Sequence, residues 1–170
     1  MTELRLWSPV WPRRSTNVFV LVVTVVGAAL GLRYAGHRCV LLPTSFVHIA
    51  FTNLALCLVI AAGILSRGII TLLVGIPVFL LTGATIGSAF AMLGLRAILL
   101  IAPHGLLEVY GWLLATDIGF GNVRTKPGQW LEPESRARLI RSVCWMTATI
   151  LTAAAVETLW TNWYRVNVGC

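Results

Sequence analysis

Between Ala97 and Phe120 the chain reads AILLIAPHGLLEVYGWLLATDIGF, apolar enough for a bilayer interior yet carrying Pro103, His104, Gly105, Glu108 and Asp117. About 20 apolar residues are enough for a helix to cross the hydrocarbon core. A charged side chain there costs roughly 2.5–3.5 kcal/mol even on the lenient insertion scale, so it comes with a partner or a task. His104 and Glu108 are four residues apart and share one helical face, where imidazole and carboxylate can meet. Pro103 removes a backbone donor and Gly105 loosens the same turn, so a kink or break is expected at 103–105. Two readings follow: polar groups tied off against neighbouring helices, or a functional site.

Composition places the whole chain in the same class. Of its 170 residues 58% are hydrophobic and 11% charged, against about 25% charged in soluble domains. A membrane protein of a single domain is expected. The net charge of +7 does not signal nucleic acid, because the basic residues sit in the gaps between apolar runs rather than in a patch with interleaved aromatics. Lys126 is the one lysine among 13 basic residues, a bias in keeping with a GC-rich bacterial genome. Cys39, Cys57, Cys144 and Cys170 show no C-x-x-C spacing and so no zinc or redox motif. Cys57 and Cys144 fall inside apolar runs and read as small core residues.

The expected architecture is an all-α bundle of five transmembrane helices, over about 17–32, 44–65, 69–93, 97–120 and 142–161, with a polar loop at 121–141. Residues 1–16 read as a lead-in ending in an uncleaved anchor, with Leu4, Leu6, Trp7, Val10 and Trp11 suited to the headgroup layer. Gly27 and Gly31 in the first span, and Gly83 and Gly87 in the third, form G-x-x-x-G pairs that permit close helix approach. Ser66-Arg67-Gly68 is a tight turn, and Pro133-Glu134-Ser135 offers a helix start. Trp160, Trp163 and Tyr164 suit an interfacial belt.

Nine of the 13 basic residues fall on the side of the N-terminus and four on the other. By the positive-inside rule the N-terminus is cytoplasmic and Cys170 lies outside, in a bacterial inner membrane. Cys39 and Cys170 would then share the oxidising face, as a disulfide or as free thiols. At 1.5 Å rise per residue, His48 and Asn53 of the second span, His104 and Glu108 of the fourth and Glu157 of the fifth all fall in the outer half of the membrane. Asp117, near the inner boundary, reads as an interfacial residue.

Ala102-Pro103-His104-Gly105-Leu106-Leu107-Glu108 resembles the Pro-His-Gly-x-x-Glu signature of the stage II sporulation protein M family of five-span membrane proteins. Asn53 ahead of a glycine-bearing third span, and Glu157 in the last span, are similar to that family's other recurring features. The resemblance implies a subunit of a membrane complex, since members in spore formers work with membrane-anchored peptidoglycan hydrolases. The positions that carry over are Pro103, His104, Gly105 and Glu108, with Asn53 and Glu157.

Three functions are compatible with these residues. One is a subunit that meets other membrane proteins as a homo- or hetero-oligomer. Another is a cofactor-independent intramembrane enzyme in which His104 works with Glu108 or Glu157 as an acid/base pair on a hydrophobic precursor peptide or lipid-linked substrate. The third is a transporter or immunity-type protein. His104, Glu108 and Glu157 are the catalytic candidates, and His48, Thr52, Asn53, Pro103 and Gly105 are substrate-binding or structural. No cofactor is implied. No metal is assigned, since zinc needs a tighter ligand set than spacing alone places.

Overall fold

A computed structural model of the chain describes residues 10–34, 45–121 and 133–167. These residues form α1 (Arg14–Tyr34), α2 (Phe46–Ala61), a 3-10 turn (Ala62–Ser66), α3 (Ile69–Leu93), α4 (Arg96–Gly119) and α5 (Pro133–Asn167). Five helical segments, α2 together with its 3-10 turn being one of them, are long and apolar enough to cross a membrane. The all-α five-helix architecture is therefore as expected. Many of the large apolar side chains face outward, among them Leu73, Leu81 and Leu106 at 69–75% exposure. Apolar surface on this scale is unusual for a soluble monomer and suits helices that face lipid.

The third and fourth helices match the apolar runs to within one residue at each end. The fifth does not. Its 35 residues span roughly 52 Å at 1.5 Å per residue, well beyond a hydrocarbon core of about 30 Å. Residues 133–141, expected in the polar loop, form its first turns. Pro133 fits the opening position of a helix, and Glu134 in the first turn complements the helix dipole.

The two G-x-x-x-G pairs meet each other. A Cβ on Gly27 would run into the backbone of Leu80, and one on Gly31 into that of Ala84; Gly83 and Gly87 stand likewise against Thr24 and Ala28. The backbones of α1 and α3 are thus in direct contact, and Ser88 Oγ donates to the Gly31 carbonyl (3.3 Å) across the seam. α4 packs against α5, and α2 touches α3, α4 and α5. Between α2 and α3 the chain reverses through Arg67 (φ 55°) and Gly68 (φ 91°), the left-handed pair that so tight a turn requires.

Two expectations, for Asp117 and Cys144, are corrected, and of the kink or break expected in α4 the break is absent, since the helix runs through Pro103. The carbonyl of Leu99, four residues earlier, loses its helical donor to the proline ring, and the indole Nε1 of Trp160 on α5 donates to it instead (2.7 Å). Asp117 is not interfacial but 1% exposed. Its Oδ1 accepts from the Arg13 backbone N–H (3.2 Å) and the Thr16 hydroxyl (3.0 Å), so a carboxylate on α4 caps the start of α1. Cys57 is buried as expected, but Cys144 is exposed. In the lead-in, Val10 is buried and its carbonyl accepts from the Tyr110 hydroxyl (2.6 Å). Trp11 stands edge-on to the Tyr110 ring, 6.4 Å between centroids. Residues 1–9, Cys39 and Cys170 lie outside the described residues.

Candidate intramembrane site

The polar residues of three helices are brought together in the half of the bundle that holds the α3–α4 turn. In α2, His48 and Thr52 share a face, with Asn53 beside it. α4 contributes His104, Gly105 and Glu108 within little more than one turn, and α5 contributes Glu157. These residues line one cavity of about 560 Å³. One ligand-type atom from each of His104, Glu108 and Glu157 lies within 4.8 Å of the other two. The closeness of His104 and Glu157 across α4 and α5 follows from the packing of those two helices. Gly111, three residues along α4 from Glu108, has its Cα against the side chain of Ile150 on α5.

Asn53 supplies the link to α2. Its Nδ2 donates to Glu108 Oε1, orienting the carboxylate. Pro103 is exposed, and its contribution is to the backbone bond with Trp160 rather than to the cavity wall. Gly105 lines the cavity, and a Cβ there would stand 3.0 Å from Ile101 Cγ2.

No protein-family model matches the chain, and no curated protein or solved structure does.

Two parts of the wall escape a reading by spans. Thr82 and Thr85 of α3 face the cavity; their spacing of three on one helical face is a polar stripe visible in the sequence. Trp112, one turn along α4 from Glu108, also lines it. Trp112 is 6% exposed, and neither its Nε1 nor His104 Nδ1 has a hydrogen-bond partner among the described residues. None of the described lining residues is lysine or arginine. His48, Thr52, Thr85 and Leu106 are exposed, so the cavity reaches the flank of the bundle between α2, α3 and α4. Chemically the wall offers two carboxylates, two imidazoles, hydroxyls and an amide in an otherwise apolar cleft, the usual make-up of a binding pocket.

Proposed function

We propose that this is a multi-pass membrane protein whose working part is the cavity shared by His104, Glu108 and Glu157. It admits a hydrophobic ligand from the bilayer and handles that ligand's polar group with the three side chains. The observation that carries this reading is the cavity itself. Polar residues serving only to satisfy one another would close on their partners, whereas these line about 560 Å³ of space open to the flank. The resemblance to the stage II sporulation protein M family supports placing the chain in a bacterial inner-membrane complex, as a subunit that receives a segment of a partner or precursor peptide there.

A second reading is favoured by one specific distance. With His104 and both carboxylates within 4.8 Å, the cluster has the reach for acid/base proton transfer on a bound substrate.

A photo-crosslinking side chain at Thr85 or Leu106, on the rim, tests the reading against the same probe at Leu73, which is exposed elsewhere on α3. Adducts with a hydrophobic peptide or lipid-linked molecule at the rim positions, weakened by Glu108→Gln, are expected. Identical adducts at all three positions would show bulk lipid contact and overturn it.

A further inference from the structure

We propose that His104, Glu108 and Glu157 form a binding site for a single zinc-type divalent cation, with its open coordination position facing the cavity. This deepens, and rests on, the reading of that cavity as the working site.

Charge is the first ground. Two carboxylates from different helices are held together in a wall without lysine or arginine among the described residues, and in a medium of low dielectric they repel strongly. One dication neutralises both at once. Imidazole and carboxylate oxygen are also ligands that zinc accepts readily.

Geometry is the second. Zinc binds nitrogen and oxygen at about 2.0–2.2 Å, so two ligand atoms on one tetrahedral ion stand about 3.3–3.6 Å apart. The three ligand atoms, all within 4.8 Å of one another, need to draw in by no more than about 1.5 Å to close on a common centre, which rotations of the flexible glutamate side chains supply. His104 and Glu108 lie at i and i+4 on one face of α4, a spacing that lets two ligands on a single helix share an ion. Glu157 completes the set from α5.

The surroundings supply the third. Asn53 holds one oxygen of Glu108, the kind of outer hydrogen bond that orients a ligating carboxylate. Three protein ligands with a vacant fourth direction are the arrangement of catalytic zinc rather than structural zinc. Trp112, more than nine-tenths buried in the same wall with its indole N–H lacking an acceptor among the described residues, points to a ligand bearing an acceptor oxygen such as a carbonyl.

The experiment uses the full chain purified in mild detergent, stripped with a chelator and titrated with Zn²⁺ alone. One zinc per chain is expected. His104→Ala and Glu157→Gln should each weaken binding by at least about tenfold, and Asn53→Leu by roughly 10–100-fold. Cys144→Ser should leave it unchanged. X-ray absorption on the wild-type protein needs no variant to fold, and should show nitrogen and oxygen neighbours only. Sulfur ligation, or uptake equal to that of the triple variant His104→Ala/Glu108→Gln/Glu157→Gln, would overturn the proposal. The two readings fail separately. Absence of zinc with Glu108-dependent rim adducts removes the metal and leaves the cavity reading intact; zinc uptake without such adducts does the reverse.

Discussion

Trp160 donates its indole N–H to the carbonyl of Leu99 at 2.7 Å, the acceptor that Pro103 deprives of its helical partner. In a bilayer no water takes over such a group, so a side chain from the neighbouring helix keeps α4 satisfied where a proline crosses it. The bond also pins α5 to α4 beside His104, one residue beyond the proline.

Trp160→Phe should therefore destabilise the folded bundle by about 0.5–1.5 kcal/mol. Pro103→Ala restores the missing N–H and should reduce that loss, so the two changes should not add. Unfolding in mixed detergent, run as a double-mutant cycle, measures the coupling, and strict additivity would refute the link.

Asp117 holds the start of α1 from a different helix. Asp117→Ala should cost about 0.5–2 kcal/mol, as loss of a helix cap does, while Asp117→Asn, which keeps an acceptor oxygen, should cost less. Hydrogen exchange at residues 14–18 would report the fraying directly.

The α1–α3 seam leaves no room for side chains at its glycines. Gly27→Ile or Gly83→Ile should separate the two backbones and destabilise by more than the roughly 1–3 kcal/mol typical of overpacking, because backbone rather than a side-chain tip stands in the way. A cysteine pair placed across the seam should lose its cross-linking in either variant.

His104→Ala or Glu108→Ala should abolish function while expression and membrane insertion persist. Glu108→Gln separates the roles: retained activity would sink proton transfer or metal ligation by that carboxylate. For His104 and Glu157, the double variant should lose less than the sum of the single losses, since groups within one cluster are coupled.

The nine-to-four distribution of basic residues leads us to expect the N-terminus in the cytoplasm. A reporter fused after Cys170 should be active only when it works outside the cytoplasm. The opposite result would invert the bundle, including the side on which the cavity lies.

Helix number and class were legible in the sequence, because a bilayer admits few folds and sets the length of an apolar run. So were several residues of the cavity wall: His48, Asn53, His104, Glu108 and Glu157 are conspicuous as polar groups in apolar surroundings, and helical rise alone puts them in one half of the membrane. The glycine pairs were visible too, as faces able to approach another helix. Depth and face are one-dimensional properties, which a run of residues carries by itself. Which helix each face meets is not. Only the packed bundle decides that the first G-x-x-x-G meets the second, that Asp117 turns inward to cap α1, and that α5 begins in a segment whose charges read as a loop. It also decides that Trp160 answers Pro103, and that Glu157 arrives beside His104 while Asn53 bonds to Glu108. Each of these depends on the rotation of one helix against its neighbour, set by side-chain fit over the whole interface and not by any single stretch of the chain.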